Sequence, residues 1–262
     1  MKNNSNLYFE DSNIKLYLGD SIKILNSLKK NSIDMIFADP PYGLSNDGIT
    51  CQNGKMVSVN KGTWDKSKGI EEDFRFHNKW IKACKRVLKP NGTIWISGTY
   101  HSIYACGFAL QKNGFKILND ISWYKPNAAP NLSCKYFTAS HETLIWAIKE
   151  PIEKHTYNYE VMKYGNWHEK DIIKNKDKQM RSVWSISTPS KSEKEFGKHP
   201  TQKPLSLLER IILSSTNESD IVLDPFTGSS TTGVIAKKYK RKFVGIDKEK
   251  EYLELSIKRL MN

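Results

Sequence analysis

The sequence predicts an α/β protein whose core is a Rossmann-like, doubly wound and mostly parallel sheet of seven strands. Three observations predict it. Short apolar runs alternate with longer segments of helical period, the pattern of strands joined by crossover helices. Three of the runs end in an acid: Ile33–Ala38 before Asp39, Ile221–Leu223 before Asp224, and Phe243–Ile246 before Asp247. Two of those acids open turns containing Pro or Gly, as expected at the carboxyl ends of strands, where open α/β sheets build their sites.

Taken in order, the remaining strands are Lys15–Leu18, Thr93–Ser97, Ile117–Trp123 and Thr143–Ile148. The predicted helices are Ser21–Leu28, Glu71–Leu88, Ser102–Lys112, Pro204–Ser215, Thr231–Lys238 and Glu249–Leu260. Lys89-Pro90-Asn91-Gly92 stops the second helix and turns it into a strand, and Asn113-Gly114 does the same for the third. Pro204 suits a first helical turn, where its missing N–H costs little. Two stretches break the rhythm: Gly43–Gly69, rich in Gly, Asn, Ser and Lys, and Glu150–Lys198, polar and aromatic without sustained apolar period. Irregular segments of that length in a compact domain are usually functional or disordered.

The composition, 38% hydrophobic and 26% charged, is that of an ordinary globule, but 41 Lys+Arg against 28 Asp+Glu give a net charge of +13. Such an excess points to an anionic partner, nucleic acid first. Cys51, Cys84, Cys106 and Cys134 show neither CxxC spacing nor nearby His pairing, which argues against a zinc site and a disulfide framework. No metal is expected. The N-terminus lacks an apolar signal core, and no apolar run approaches the roughly 18 residues of a membrane span. A cytoplasmic protein that does not meet a membrane is expected.

Asp39-Pro40-Pro41-Tyr42 carries the most specific chemistry. An exocyclic amine on a nucleobase is a poor nucleophile because its lone pair is delocalised into the ring. Hydrogen bonds from that amine to the Asp39 carboxylate and the Pro40 carbonyl would favour a tetrahedral nitrogen. The two prolines hold those acceptors in place beforehand. Tyr42 can stack on a base drawn out of the duplex, an interaction worth about 1–3 kcal/mol.

Asp224-Pro225-Phe226-Thr227-Gly228-Ser229-Ser230-Thr231-Thr232-Gly233 reads as a strand–loop–helix entry. Gly228 would let backbone approach a ligand, and Ser229 or Ser230 would cap the following helix. It is not GxxxxGK[ST], so triphosphate binding is not expected. Asp247, at the end of the next strand, stands where ribose hydroxyls are gripped in such units. In His199-Pro200-Thr201-Gln202-Lys203-Pro204, Lys203 is placed to pair with the carboxylate of an amino-acid moiety and Thr201 to hydrogen-bond it.

Together these motifs resemble the β-group amino DNA methyltransferases, in which the catalytic motif precedes the cofactor motif. The order agrees over nearly the whole chain: DPPY at 39–42, a variable segment near 150–198, HPTQKP at 199–204, DPFTGSSTTG at 224–233 and GID at 245–247. Trp95-Ile96-Ser97-Gly98, the WYKPNAAPN stretch at 123–131 and His141-Glu142-Thr143 add to the likeness. Within the group it is greatest to the second methyltransferases of DpnII-type restriction systems, with the HinfI-like enzymes next.

The resemblance implies a circularly permuted methyltransferase order with an inserted target-recognition segment. Residues 1–149 would be the catalytic half with a mobile loop at 43–69, 150–198 the recognition segment, and 199–262 the cofactor half. It implies S-adenosylmethionine as cofactor. Phe226, Gly228 and Ser229 would wrap its methionine part with Thr201 and Lys203 nearby, Asp224 and Ser230 would belong to the same loop, Asp247 would hold the ribose, and Asp20 would lie near the adenine. Asp39, Pro40, Pro41 and Tyr42 would be catalytic, with Asp39 also among the residues around the cofactor. The family usually writes FxGSGTT, whereas this chain has Ser230 at the second glycine, where a Cβ would crowd the cofactor or the helix–strand contact.

The implied reaction is transfer of a methyl group to N6 of a flipped adenine, in GATC, within a restriction–modification system. Transfer to cytosine N4, a GANTC target and a non-catalytic DNA-binding relative are the alternatives. No Pro-Cys dipeptide of the cytosine-C5 enzymes occurs. DNA, double- or single-stranded, is the expected partner, and the group implies a homodimer. For DNA contact the candidates are Trp64 and six of the seven basic residues of 172–198, Lys174, Lys176, Lys178, Arg181, Lys191 and Lys198, interleaved with Trp184 and Phe196.

Overall fold

The computed structural model describes residues 6–43, 49–52, 55–58, 65–165, 167, 179–197 and 199–262, with 49–52 and 55–58 known by backbone alone. The expected Trp64, Lys174, Lys176, Lys178 and Lys198 lie outside the described residues, as do 44–48, 53–54 and 59–64 of the segment expected to be a mobile loop.

The strands are β1 (Leu7–Glu10), β2 (Ile14–Leu18), β3 (Ile33–Ala38), β4 (Ile49–Gln52), β5 (Lys55–Ser58), β6 (Leu88–Gly98), β7 (Lys116–Tyr124), β8 (His141–Ile148), β9 (Val183–Ser185), β10 (Ile221–Asp224) and β11 (Lys242–Asp247). The helices are α1 (Ser21–Ser27), α2 (Ile70–Val87), α3 (Ile103–Lys112), α4 (Tyr159–Tyr164), α5 (Leu205–Ser215), α6 (Thr231–Lys238) and α7 (Lys250–Met261). The main sheet has the order β1-β2-β11-β10-β3-β6-β8-β7-β9, and β4 with β5 forms a separate antiparallel ribbon.

The seven expected strands form the middle of this sheet, and two more extend its edges. β1 pairs antiparallel with β2, and β9 adds parallel to β7. Neither was legible: β1 precedes any clear period, and β9 has only three residues inside a polar stretch. From β2 to β6 all pairings are parallel, while β8 runs antiparallel to both its neighbours.

Alternation along the central strands builds two cores, one on each face. Ile36, Ala38, Ile94 and Ile96 pack with Leu25 of α1, Trp80 and Ile81 of α2, and Ile103 and Cys106 of α3. Met35, Phe37 and Trp95 face the other way, against Leu207 and Ile211 of α5, Ile235 of α6 and Leu253 and Leu260 of α7. α2 starts with Glu71, Glu72 and Asp73 and ends with Lys85 and Arg86, matching its dipole at both ends. Much of its terminal basic run serves the fold: Lys85 Nζ donates to Asn113 O at 2.8 Å, Arg86 Nη2 to Leu25 O at 2.7 Å, and Lys89 pairs with Asp34 at 2.6 Å.

Segment 150–198 is stitched to the sheet. Trp184 of β9 lies 6.0 Å from Trp95, which itself stacks on Trp146 at 5.0 Å. Arg210 of α5 covers the Trp184 ring at 4.9 Å, and Asn158 Nδ2 donates to Leu213 O and Thr216 O. Among the described residues, no helix is long and apolar enough to cross a membrane.

The turn from β10 into α6 departs from expectation. Ser230 stands at the N-cap of α6 in the left-handed region, φ +52°, and its hydroxyl bonds Thr227 Oγ1 at 2.8 Å instead of capping the helix. Ser229 does not cap it either, since its Oγ accepts from Arg259 Nη1 at 2.9 Å. Ser230 is fully buried behind the loop, so the cost of a Cβ there is backbone strain, not crowding of a ligand. That strain is about 1 kcal/mol or somewhat more for a non-glycine residue, against about 1 kcal/mol from the hydroxyl pair. The two nearly offset. Ser230→Gly should therefore leave thermal stability almost unchanged, while Ser230→Ala, which keeps the strain and loses the bond, should lower Tm by about 2–4 °C. Equal melting of all three proteins would show that neither contribution exists.

Candidate active site

The parallel strands end together, so Asp39 after β3, Asp224 of β10 and Asp247 of β11 line one edge of the sheet with Asp20 after β2. β8 enters at the same edge in the opposite sense, which brings its second residue, Glu142, beside them. A cavity of about 240 Å³ opens there. Its walls include Asp20, Asp39, Pro40, Pro41, Tyr42, Thr201, Lys203, Asp224, Phe226, Gly228, Ser229 and Asp247. Of the residues expected around the cofactor, Ser230 alone is not in the lining.

One half of the cavity is a buried network of charge. Tyr42 Oη donates to Asp39 Oδ1 at 2.5 Å and also meets Ser97 Oγ and Glu142 Oε2, each at 3.1 Å. Lys203 Nζ donates to Asp39 Oδ2, lies 3.8 Å from Glu142 Oε2 and sits 5.4 Å from the Tyr42 ring centroid. Lys125 Nζ donates to Glu142 Oε1 at 2.9 Å. Two ammonium groups thus neutralise two carboxylates, the condition under which such groups tolerate burial.

Burial raises the Asp39 pKa, with Lys203 opposing it. Burial would also raise that of Glu142, but Lys203 and Lys125 together bring it down to about 2. Burial would lower the Lys203 pKa, and Asp39 and Glu142 reverse that. Glu142 is the ionised anchor of the group. The carboxylate of Asp65 completes it from below, accepting from Tyr42 N at 2.8 Å and Gly43 N at 3.0 Å while only 1% exposed.

Lys203, expected beside an amino-acid carboxylate, lines the cavity and is bonded to Asp39 there. Tyr42, expected to stack on a base, lines the same cavity with its hydroxyl bonded to Asp39.

The other half is built by the two acid-ended strands of the C-terminal region. Asp247 Oδ2 accepts from Gly228 N and Oδ1 from Glu249 N, both at 2.9 Å. Burial pushes the Asp247 pKa up to about 6 despite those bonds. Asp224 accepts from Phe226 N at 3.0 Å and Thr232 Oγ1 at 2.6 Å, and burial pushes its pKa up to about 7. It holds the loop from inside.

Gly228 has φ +50°, and a Cβ there would come within 3.0 Å of the His199 ring, which packs edge-on against Tyr252. The glycine is required twice over. Phe226 turns its ring onto Trp80 at 5.4 Å and Phe76 at 6.2 Å, tying this loop to α2. Asp20 caps α1, accepting from Lys23 N at 2.9 Å. Thr201 Oγ1 is 3.3 Å from His199 Nδ1. Arg181 and Lys191 are exposed on the 150–198 segment.

Glu142, Lys125, Ser97 and Asp65 were not singled out from the sequence as site residues. Glu142 had a signal, a carboxylate at the head of an apolar strand that must turn inward. Asp65 had none.

Comparison with known proteins agrees with this geometry. The chain matches the family model described as DNA methylase, of the N6/N4 type, over residues 33–258. It is 56% identical over 254 residues to the type II methyltransferase M2.LlaDCHI of Lactococcus lactis subsp. cremoris, covering 97% of this chain and 91% of that protein. Against M2.DpnII of Streptococcus pneumoniae the figures are 55%, 97% and 91%. Among solved structures, the M1.HpyAVI–SAM complex aligns with a TM-score of 0.67 at 31% identity, over 94% of this chain and 98% of that one. The PvuII cytosine-N4-specific DNA methyltransferase aligns at 0.75 and 22% identity, over 98% and 89%, a likeness of fold alone. The chain belongs to the N6/N4 DNA methylase family, the S-adenosylmethionine-dependent DNA methyltransferases.

Proposed function

We propose that the protein methylates N6 of an adenine flipped out of DNA, in GATC, as the modification enzyme of a restriction–modification system in the cytoplasm. One observation carries the reading: Asp39-Pro40-Pro41-Tyr42 closes the central strand on a cavity whose opposite wall is the Asp247–Gly228 loop. The GATC target rests on the resemblance to DpnII-type systems, and the likeness to the relative named M2.DpnII supports it. Cytosine N4 needs the same geometry, and Asp39 favours adenine. Segment 150–198 is the target-recognition element in this reading, with Arg181 and Lys191 facing solvent. Double-stranded DNA is the main substrate, single strands are accepted, and the working form is a homodimer.

The cavity suits S-adenosylmethionine: a bare Gly228 backbone, an acid at the end of β11 and a buried polar wall. When bound, the cofactor supplies an electrophilic methyl group at a sulfonium. Asp247 would take its ribose hydroxyls and Phe226, Gly228 and Ser229 its methionine part. Asp39 accepts from Tyr42 at one oxygen and from Lys203 at the other, so an incoming amine competes with them for the carboxylate's remaining lone pairs. Lys203 has an alternative partner in Glu142, 3.8 Å away. Its shift toward Glu142 frees Asp39 Oδ2 to accept an amine hydrogen beside the Pro40 carbonyl. The hydrogen bond to Asp39 favours a tetrahedral nitrogen with its lone pair exposed for methyl transfer; the methylated amine would then shed one proton, to Asp39 or to water, and no covalent enzyme–base bond is needed.

Incubating the purified protein with labelled cofactor and duplex DNA, then sequencing the modified bases, tests base and target together. N6-methyladenine in GATC is the expected product; N4-methylcytosine would select the second reading. Asp39→Ala should abolish transfer and leave calorimetric cofactor binding within about threefold, with Asp39→Asn as the isosteric control. Glu142→Gln, which strips Lys203 of its second anion, should lower kcat at least tenfold at unchanged cofactor affinity.

Cofactor binding should also report Asp247. Its folded pKa of about 6 lies above the ordinary value of 3.8. The folded protein is therefore stabilised by protonation as pH falls through 6, and the same proton removes the charge that accepts ribose hydroxyls. Affinity should fall by up to about tenfold per unit below pH 6. Asp247→Asn should bind weakly with that step absent; a wild-type profile flat from pH 5 to 8 would contradict the assignment.

A further inference from the structure

Between β7 and β8 the chain leaves the sheet at Lys125 and returns at Ser140, whose carbonyl accepts from Lys125 N at 2.8 Å. The excursion is shaped from within. Asn131 Nδ2 donates to Tyr136 O at 2.6 Å, and Asn131 Oδ1 accepts from Ser133 N and Ser133 Oγ at 3.0 and 2.8 Å. Yet its tip carries two aromatic rings in water: Phe137 is 97% exposed and Tyr136 68%. Two adjacent rings held largely in water by a hydrogen-bonded loop mark a contact surface.

The position of the loop indicates what it contacts. One stem supplies Lys125 and the other Glu142, bonded to each other, and Glu142 reaches Tyr42 of the catalytic motif at 3.1 Å. Near its base, Asn127 exchanges two side-chain bonds with Thr188, Nδ2 to Oγ1 at 3.0 Å and Thr188 N to Oδ1 at 3.1 Å. The loop therefore bridges the catalytic cavity and the 150–198 segment. Lys135 adjoins the aromatic pair, on a chain of net charge +13. Aromatic groups beside a cation, on a loop whose stem is bonded through Glu142 to Tyr42 of the cavity wall, match the chemistry of a wedge between stacked bases.

We propose that Tyr136 and Phe137 enter the DNA stack beside the target base and hold the duplex open while the base occupies the cavity. The inference rests on the reading of the cavity as a flipped-base site. A ring that fills the gap left by the extruded base lowers the cost of unstacking, which is paid only in duplex DNA. Loss of the ring should thus be felt on paired substrate and spared where the cost is already absent.

The test compares wild type, Phe137→Ala and Tyr136→Ala/Phe137→Ala with Phe137→Trp, on three oligonucleotides. These are a GATC duplex, the same duplex with an abasic site opposite the target adenine, and the single strand. The alanine variants should lose about 10- to 100-fold in kcat/KM on the paired duplex, less than threefold on the other two, and the tryptophan variant should restore activity. Fluorescence of 2-aminopurine at the target position should rise on binding of wild type and not of the double variant. Full activity of the double variant on the duplex overturns the proposal, as does an equal loss on all three substrates. A change of sedimentation behaviour on losing the rings also overturns it, because the pair would then serve contact between copies of the chain. Absence of methyl transfer by wild type on every oligonucleotide would instead refute the function on which the inference rests.

Discussion

The Asp39 carboxylate, held between the hydroxyl of Tyr42 and the ammonium of Lys203, is the constraint around which the molecule is arranged. Its partners arrive from four separate parts of the chain: Tyr42 from the turn after β3, Lys203 from the loop before α5, Glu142 from the head of β8, and Lys125 from the end of β7. Only a sheet whose central strands end together, with one strand reversed among them, brings those groups to one point. An isolated buried charge costs several kcal/mol. Two acids and two bases within bonding distance avoid that cost while keeping a carboxylate poised at the cavity.

The same arrangement makes catalysis a matter of exchange. In the DNA-free protein Asp39 has no unengaged oxygen, which protects a buried anion with a raised pKa from remaining uncompensated. Glu142, ionised down to about pH 2, offers Lys203 a second berth. The cofactor wall is organised on the opposite principle: Asp224 and Asp247 sit in buried surroundings with backbone N–H groups as partners, and both are held near neutrality. One wall is dominated by ion pairs and the other by hydrogen bonds from backbone N–H groups and a threonine hydroxyl.

Much of this was legible in the sequence because strand ends carry strong local signals. Asp39, Asp224 and Asp247 each follow an apolar run, and the alternation of Met35, Ile36, Phe37 and Ala38 between two faces follows from the strand period. The seven middle strands and six main helices came from that pattern. What escaped depends on tertiary placement. β9 is three residues long and exists because Trp184 docks on Trp95. Nothing local to Lys203 shows that Asp39 and Glu142 come within its reach. Ser230 looked like a helix cap; its left-handed backbone is imposed by the loop around Gly228 and Thr227.

A structure of the protein with duplex DNA and an unreactive cofactor analogue tests the central claim most directly, through the position of one atom. The account predicts that Lys203 Nζ leaves Asp39, comes within hydrogen-bond distance of Glu142, and yields Asp39 Oδ2 to the exocyclic amine of the extruded base. Lys203 still bonded to Asp39, with the amine seated against other acceptors, would contradict it.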